Sequence, residues 1–523
     1  MKKKNFAVLV TSLVLFCQPV LADFNEGLTA YEAGKYQKAL REFRTAADEG
    51  DAKAQHYLGS MYRFGQGVAQ NSQQAIEWYQ KAAEQGYVLS QHTLGGMYSF
   101  EFVPGITQNY QLAAAWYQKA AEQGNVPSQY HLGRMYKDGM GVAQDYQQAA
   151  AWYQKAAEQG YTAAMLDLGN MYVNTRNYQQ AAVWYQKAAD KRDDEARYNL
   201  GVMYRDGMGV KQDYQQAMAW FRKAGEQGVG PKSVLALFEL GNMYANGQGV
   251  AQNYQQAIEW YQKAAGYALA DNALGIMHRD GMGVKQDYKK AVVYFLRSAN
   301  QGHVAAQYNL GVMYEQGKGI AQNYQEAVAW YQKAAEQGNA SAQFSLGNMY
   351  VYGQGVAQNY QQAVAWYQKA AEQGHAAAQN NLGVMYASGR SITQNYLQAV
   401  AWYRKAADQG NDSAQFNLGN MYANGQGVTQ NYQQAVAWHQ KAADQGNASA
   451  QFNLGNMYAN GQGVARNDVK AHKWYNIAGV NGHKDAIESR NKIERRMSSQ
   501  QINEAQKLAE NWISSRTKPS SDL

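Results

Sequence analysis

The chain has 523 residues, a length sufficient for three or four ordinary domains. Charged residues make up 17% of it, aromatic residues 13%, and the mean hydropathy is −0.62. Disordered chains are poor in aromatic residues, so this composition excludes a charged disordered protein, and it also excludes a transmembrane transporter and a collagen. The chain also contains 12 tryptophans, and their spacing indicates the fold.

Residues 1–22 have the pattern of a secretory signal peptide. Lys2–Lys4 form a basic start, an apolar run covers Phe6–Phe16, and Val20-Leu21-Ala22 ends in a V-x-A cleavage pattern. We predict cleavage after Ala22 and a periplasmic or secreted mature chain. The alternative is an uncleaved membrane anchor, although the apolar run is too short to span a bilayer by itself.

The single cysteine, Cys17, lies inside this predicted signal. The residue before it is Phe16, whereas a lipoprotein signal carries a small residue there, so Cys17 is predicted to be removed rather than lipidated. The mature chain then has no cysteine for a disulfide, a thiolate metal site or a nucleophile.

Residues 23–50 come next and contain a short helical hairpin, predicted over Phe24–Asp48. They resemble a tetratricopeptide unit and are predicted to form an N-terminal cap on the next segment of the chain. That segment, residues 51–486, is dominated by a repeat with a mean period of 36 residues. The pair Leu-Gly followed by Met-Tyr, or a near variant, marks twelve copies, numbered here as repeats 1–12. The Leu residues of these copies are Leu58, Leu94, Leu132, Leu168, Leu200, Leu240, Leu274, Leu310, Leu346, Leu382, Leu418 and Leu454.

Each copy is predicted to be a pair of helices, as the segment Ala414–Gly446 illustrates. Apolar residues at a 3.6-residue period define a first helix, which Gly425 ends in the left-handed conformation. Asn431 is predicted to cap the second helix, with Gln434 forming an amide version of the capping box. The recurring glycine, Gly419 here, indicates close backbone approach of a neighbouring helix, because glycine within a helix is otherwise unfavourable.

The tryptophans mark one position of the second helix and are predicted to be core rather than a ligand platform. They are Trp78, Trp116, Trp152, Trp184, Trp220, Trp260, Trp330, Trp366, Trp402, Trp438 and Trp474, with Tyr294 in repeat 7. Val469–Gly479 is the last second helix of the array. Residues 487–523 are assigned to the C-terminal capping helices and a frayed tail. We predict helices over Lys484–Met497, which begins just before this segment, and over Gln500–Ile513. The frayed tail is predicted over Ser514–Leu523.

The motif A-x-x-x-L-G-x-M-Y-x-x-G-x-G-V-x-x-[DN]-Y-x-x-A-x-x-W-Y-x-K-A-A-x-Q-G resembles the Sel1-like repeat, a relative of the tetratricopeptide repeat. The resemblance implies an all-α fold, a right-handed α/α solenoid of helical hairpins with terminal caps. It also implies an adaptor for protein complexes, and bacterial members are often exported and linked to the cell envelope. A cysteine-rich branch is associated with β-lactam binding or hydrolysis, but the predicted mature chain lacks its cysteine pairs.

Enzyme motifs are absent from the sequence. There is no H-E-x-x-H or G-x-S-x-G, and Gly317-Lys318 lacks the Ser or Thr of a phosphate-binding loop. The histidines do not recur as a set, and His278 and His439 are interpreted as substitutions at the edge of the core. We therefore predict no catalytic residue, no metal site and no cofactor.

Charge argues against a nucleic-acid partner. The formal net charge is +7, but it comes from the N-terminal lysines and from residues 466–523, while the body of the chain is balanced. The basic C-terminal end is interpreted as a solvated cap, the alternative being contact with an anionic envelope polymer or lipid headgroup. The protein is expected to meet a membrane only through its export signal.

Two positions flanking Leu-Gly are predicted to bind a partner. They lie three residues apart and so share one face of the first helix, which the resemblance places on the concave side of the solenoid. Asparagine recurs at both positions and would form an amide ladder able to bind an extended peptide or sugar hydroxyls. The alternative is that these asparagines are merely solvated and duplicated with the repeat. The candidate binding residues are Asn199, Asn309, Asn381, Asn417, Asn420, Asn453 and Asn456, and the same positions hold Asn170, Asn242 and Asn348.

These observations favour a non-enzymatic scaffold of the bacterial cell envelope that binds a protein or peptide partner. The alternative is a binder of peptidoglycan or exopolysaccharide, or a modulator of a cell-wall enzyme. A hydrolase of the β-lactamase-like cysteine-rich branch is the least favoured hypothesis.

Overall fold

The computed structural model describes residues 24–99, 105–228 and 230–517. Within these residues the protein contains 28 α-helices and no β-strand. The predicted signal peptide, residues 1–22, lies outside the described residues. None of the described helices combines the length and the apolar character needed to cross a membrane.

The helices follow one another as hairpins, each with a first and a second helix. A hairpin of α1 (Phe24–Glu32) and α2 (Tyr36–Asp48) precedes the repeats, and α27 (Ala486–Glu494) and α28 (Ser499–Thr517) follow them. The first helices of repeats 1–12 are α3 (Ala52–Phe64), α5 (Val88–Ser99), α7 (Val126–Asp138), α9 (Thr162–Asn174), α11 (Asp194–Asp206), α13 (Pro231–Asn246), α15 (Ala268–Asp280), α17 (Val304–Gln316), α19 (Ala340–Tyr352), α21 (Ala376–Ser388), α23 (Asp412–Asn424) and α25 (Ala448–Asn460). The second helices are α4 (Ser72–Glu84), α6 (Tyr110–Glu122), α8 (Tyr146–Glu158), α10 (Tyr178–Asp190), α12 (Tyr214–Gln227), α14 (Tyr254–Lys263), α16 (Tyr288–Asn300), α18 (Tyr324–Glu336), α20 (Tyr360–Glu372), α22 (Tyr396–Asp408), α24 (Tyr432–Asp444) and α26 (Asp468–Val480).

The chain forms two compact units that divide between Gln252 and Asn253. Within each unit, a second helix packs against both its own first helix and the first helix of the next repeat. One core cluster shows the pattern: Val328 and Tyr331 of α18 meet Leu346 and Met349 of α19. Each amphipathic hairpin thus buries its apolar stripes against its neighbours, as the solenoid prediction requires.

The predicted helix ends are confirmed in repeat 11. Gly425 has a φ of 68° and ends α23, and Asn431 Oδ1 accepts a hydrogen bond of 2.9 Å from the backbone N–H of Gln434. The backbone N–H of Asn431 donates to the Tyr422 carbonyl at 2.9 Å rather than to the Gln434 side chain, so the capping box is only half formed. The cap therefore ties the start of the second helix to the end of the first.

The loop between the two helices sits on the preceding repeat. Its second glycine, Gly427, has a φ of 68°, and a Cβ there would collide with the carbonyl of Tyr396 at the start of α22. Glycine is required for two reasons, namely the left-handed backbone and the close approach.

The recurring glycine of the first helix lies under an aromatic ring of the second helix. A Cβ built on Gly347 would lie 2.6 Å from the ring of Tyr367, and one on Gly275 would lie 2.5 Å from Phe295. The neighbouring helix does come close at this glycine, but the nearest group at Gly347 and Gly275 is a side-chain ring and not the predicted backbone. The structure adds that the approaching group is the aromatic residue after the tryptophan position.

Seven of the eleven tryptophans of the array are buried in the core, as predicted, and the other four are half-buried and pack against it. Trp330 is 8% exposed and packs against helices α16 and α17, while Lys333 places its ammonium 3.9 Å from the centre of the indole ring. This cation–π contact is present at all eleven tryptophans of the array. The tryptophan thus fills the junction between repeats and carries a lysine on its outer face.

The C-terminal helices continue the packing of the last repeat. Trp512 of α28 contacts Trp474 edge-on, with 5.9 Å between ring centres, and His472 Nε2 lies 2.7 Å from the carboxylate of Glu494. Helix α28 extends to Thr517, which corrects the interpretation of residues 514–517 as frayed tail. Residues 518–523 lie outside the described residues.

Candidate partner-binding surface

The asparagines that flank Leu-Gly lie on the half-buried face of the first helices, here called the first-helix face. In repeats 10–12 they form hydrogen bonds across repeat boundaries. Asn453 Nδ2 donates to Asn420 Oδ1 at 3.0 Å, and Asn417 Nδ2 donates to Asn380 Oδ1 at 3.0 Å. The sequence thus placed these amides correctly on one face, and the structure shows which of them pair. Their role in binding stays a prediction.

Core tyrosines hold several of these amides in place. Tyr475 donates its hydroxyl hydrogen to Asn456 Oδ1 at 2.7 Å, and Tyr367 donates to Asn348 Oδ1 at 2.5 Å. Both tyrosine rings are buried, and burial raises their pKa to about 12, so both hydroxyls stay protonated donors at neutral pH. The amide rotamers are therefore fixed from beneath by the core.

The other predicted residues have different surroundings. Asn309 accepts a hydrogen bond of 3.1 Å from Arg279 and donates one of 3.2 Å to Asn272. Asn381 accepts a bond of 3.4 Å from the side chain of Asn380. Asn199 lies in the N-terminal unit beside the hydroxyl of Tyr185, whose pKa it lowers against the larger raising effect of burial. Amide bonds across a repeat boundary thus occur between repeats 7 and 8 and again in repeats 10–12.

The first-helix face is almost free of charged residues in repeats 9–12. Asp412 is the only charged residue in helices α19, α21, α23 and α25. Earlier repeats carry ion pairs there instead, such as Arg205 with Glu239 at 2.9 Å and Arg279 with Asp280 at 2.7 Å. The neutral part offers hydrogen-bonding groups without requiring a partner to bury a charge.

A chain of buried glutamines joins the repeats, and the sequence reasoning missed it. Gln415 Nε2 donates to the carbonyl of Ala407 in the preceding repeat at 3.1 Å, and Gln445 Nε2 donates to Gln415 Oε1 at 2.8 Å. The first of these bonds adds a donor to a carbonyl in the last turn of α22, which also accepts the backbone N–H of Gly410 just beyond the helix. The signal was the recurrence of two glutamines 30 residues apart. The same donation from the buried glutamine occurs at Gln55, Gln91, Gln129, Gln307, Gln343, Gln379 and Gln451.

Repeats 4–7 replace this buried glutamine with Met165, Arg197, Leu237 and Asp271. The Asp271 side chain is fully buried and meets Arg297 at 2.8 Å. Burial raises the pKa of the Asp271 carboxyl, and the guanidinium of Arg297 opposes that shift. The junction therefore accepts an amide, an apolar side chain or an ion pair.

Two histidines that the sequence predicts at the edge of the core lie within it. His439 is 1% exposed, occupies the aromatic position above Gly419, and has its pKa lowered by burial to about 4. His278 is 5% exposed and stacks on Tyr294, with 5.5 Å between ring centres. Both positions face the adjacent helix, which explains why the edge interpretation was wrong. No group of three or more His, Cys, Asp or Glu residues in the described part of the chain could hold a metal ion.

Comparison with known proteins agrees with this architecture. The Sel1 repeat model matches twelve segments, residues 52–87, 88–125, 126–161, 162–193, 194–229, 234–265, 268–303, 304–339, 340–375, 376–411, 412–447 and 448–483. No curated protein matches the chain.

Two solved structures are similar to this chain. One is a protective antigen of uropathogenic Escherichia coli strains that displays an SLR fold. It is 37% identical with a TM-score of 0.67, and the match covers 92% of this chain and 98% of that one. The other is a Sel1 repeat protein from Oxalobacter formigenes, 31% identical with a TM-score of 0.45 and covering 66% of this chain and 89% of that one. The helical hairpins, the twelve matched segments and the first of these likenesses establish that the chain belongs to the Sel1 repeat family.

Proposed function

We propose that this protein is an exported, non-enzymatic scaffold that binds a protein partner through an extended segment laid on the first-helix face of repeats 9–12. Sel1-like and tetratricopeptide-like solenoids mediate protein–protein interactions, and proteins of this kind are generally non-catalytic scaffolds. The observation that supports the site is the ladder of half-buried, pre-positioned amides in those repeats.

The chemistry of the ladder suits a peptide backbone. An asparagine side chain has two donor hydrogens and an acceptor oxygen, and Asn453 uses one donor on its neighbour Asn420. The half-exposed remainder of each amide can pair with the N–H and C=O groups of an extended chain. Because tyrosine hydroxyls fix Asn348 and Asn456, little side-chain entropy is lost when a partner binds.

Export to the cell envelope is part of the proposal and rests on the sequence. Residues 1–22 have the order of a secretory signal, and the rest of the chain contains no cysteine. The similar E. coli protein is a protective antigen, a property that suits a protein accessible at or beyond the envelope. The mature chain is thus expected in the periplasm or outside the cell.

The proposal is tested by partner capture with residues 23–523 as bait. Changing Asn381, Asn417 and Asn453 together to Ala should weaken capture of the main cross-linked partner by about tenfold or more, since several hydrogen bonds are lost. The same change also costs some stability, because two of these amides bridge repeats.

The matched control removes hydrogen bonds of similar value away from the face. Asn395→Ala with Asn431→Ala deletes two second-helix caps and should lower stability while leaving capture unchanged. Equal capture by the ladder variant and the wild-type chain would contradict the site. Co-sedimentation with purified peptidoglycan that depends on the ladder, with no protein captured, would favour the glycan alternative.

A further inference from the structure

A cavity of about 170 Å³ opens between repeats 2 and 3, within the N-terminal unit. Helix α6 contributes Tyr110 and Tyr117 to its lining, and helix α7 contributes His131, Arg134 and Met135. The lining therefore combines a guanidinium and an imidazole with aromatic and thioether groups. This cavity has no part in the amide ladder described above.

Arg134 lacks a partner among the described residues. Its side chain is exposed, and within those residues no carboxylate lies within 4.0 Å of it and no acceptor is hydrogen-bonded to it. Arg205 and Arg279, on first helices of later repeats, are by contrast paired with carboxylates at 2.7 Å. An arginine has five N–H donors, so Arg134 offers a fork-shaped positive group at the cavity, and no described residue pairs with it.

His131 supplies a second polar group, and its ring is held firmly. It stacks on Tyr117 with 5.1 Å between ring centres and an interplanar angle of 20°, and it lies 5.9 Å from the ring of His92. Burial, together with His92 and Arg134, lowers the pKa of His131 to about 4. At neutral pH the ring is therefore uncharged and can donate one N–H to an acceptor in the cavity.

These two residues occupy the positions that carry the ladder in later repeats. His131 precedes Leu132 and Arg134 follows Gly133, the same places that Asn417 and Asn420 hold in repeat 11. The first-helix face thus carries a cation at repeat 3 and neutral amides at repeat 11. Equivalent positions of the two units therefore offer a partner different chemistry.

We propose that the cavity between repeats 2 and 3 binds a carboxylate of the protein partner, with Arg134 as the charged donor and His131 as the second donor. This inference rests on the proposed function and specifies one chemical feature of the partner. Guanidinium and carboxylate groups match in geometry, and a cavity of about 170 Å³ has room for an acidic side chain or a chain terminus. Met135 and Tyr110 contact the aliphatic part that carries the carboxylate.

The test titrates the mature chain with three small probes, followed by ligand-observed NMR up to about 10 mM. N-acetylglutamate α-amide carries a side-chain carboxylate, N-acetylleucine carries a chain-terminal one, and N-acetylleucine amide carries none. We expect at least one carboxylate probe to bind, the amide not to bind, and added salt to weaken binding. The stronger of the two carboxylate probes identifies the source.

The variants use residues that the repeat already accepts. Arg134→Asn and His131→Asn recreate the pair found in repeat 11, so both should fold, and Arg134→Asn should weaken binding about tenfold or more. Arg404→Gln removes a charge from a second helix where most repeats have Gln, and it should bind the probe as the wild-type chain does. Binding of all three probes alike, no binding of either carboxylate, or wild-type affinity in Arg134→Asn would overturn the proposal.

The two proposals fail in different ways. Loss of probe binding in Arg134→Asn, with no partner captured by any form of the chain, would reject the proposed function and leave the carboxylate site standing. Partner capture that depends on the asparagine ladder, with probe binding unchanged in Arg134→Asn, would leave the function standing and reject the carboxylate site.

Discussion

In repeats 8–12 the buried position facing the last turn of the preceding repeat is always glutamine, whereas repeats 4–7 place Met165, Arg197, Leu237 and Asp271 there. The regular repeats thus use one junction throughout. The irregular repeats use four, with a thioether, two ion-pairing residues and an apolar side chain. The helical hairpin therefore tolerates several junctions, provided that the helix carbonyls and any buried charge are satisfied.

The irregular repeats also vary in the lengths of their helices and loops. Helix α9 is followed by Arg176 at a positive φ of 59°, α13 has 16 residues, and α14 has 10. The charges of the first-helix face are concentrated in the same part of the chain, as in the pair Arg205–Glu239. The repeats whose junctions differ from one another are thus also the repeats whose first helices carry charges. The regular repeats present one neutral surface.

The largest effect is expected at the buried ion pair of repeat 7. Arg297→Met would leave the Asp271 carboxylate buried without a counter-charge, which we expect to cost about 2–4 kcal/mol in the free energy of unfolding, measured by urea titration. The loss should shrink as the pH is lowered, because protonation removes the buried charge. Asp271→Gln with Arg297→Lys converts the junction to the pattern of repeat 8 and should restore stability. A fully stable Arg297→Met variant would contradict this account.

The contact of glycine with an aromatic ring should be equally important in both regions. Gly275→Ala and Gly347→Ala each place a methyl group against a buried ring, and each should cost about 1–3 kcal/mol. The control is Gly96→Ala, where the new Cβ meets only the Tyr117 hydroxyl at 3.7 Å, and helix propensity should make it neutral or stabilising. If all three variants unfold at the same temperature in calorimetry, the ring contact does not explain why glycine occurs at this position.

Acid should distinguish one regular repeat from the others. The pKa of His439 is lowered to about 4 in the folded state, below the usual value of 6.5, so its contribution to stability is complete above pH 6.5 and is lost as the pH falls toward 4. From pH 7 to pH 5 this loss should be about 2 kcal/mol. His439→Tyr restores the residue found at this position in most repeats and should remove that part of the pH dependence. Equal slopes of unfolding free energy against pH would refute the assignment.

The smallest effect is expected when the glutamine chain is made to resemble the irregular region. Gln379→Met introduces the residue of repeat 4 and removes bonds to the Ala371 carbonyl and to Gln409, at a net cost of about 1 kcal/mol. The reciprocal Met165→Gln should change stability less, since its neighbours are not arranged to pair with it. Thermal unfolding of the two variants measures the difference, and a larger loss in Met165→Gln would show that repeat 4 is the more specialised junction.

The sequence predicted most features that depend on a single hairpin. The turn at Gly425, the cap at Asn431 and the buried stripe that includes Trp330 follow from periodicity and local chemistry, so no knowledge of neighbouring repeats was needed. The shared helix face of Asn417 and Asn420 follows from the same rule, because the two residues lie three positions apart.

Features that join two repeats were harder to predict. The bond from Asn453 to Asn420, the pairing of Gln445 with Gln415 and the burial of Asp271 depend on how adjacent helices are oriented, which periodicity does not specify. The role proposed for Arg134 could not be predicted from the repeat pattern either, because an arginine occurs only once at this position. Its significance comes from the fact that no carboxylate among the described residues pairs with it. Periodicity therefore predicts the common hairpin, whereas a substitution that occurs once acquires its meaning only from its neighbours in space.

The glycine that seats each loop on the preceding repeat has an evolutionary consequence. Gly427 contacts Tyr396 in the same way that Gly463 contacts Tyr432. A segment of one full period therefore contains both a loop that packs on the preceding repeat and a helix start on which the next loop packs. Unequal recombination between copies would then add or delete whole cassettes with matching ends. The identity of Ala414–Val428 and Ala450–Val464 is the trace expected of such an event, and array length becomes a trait that can change without redesigning any interface.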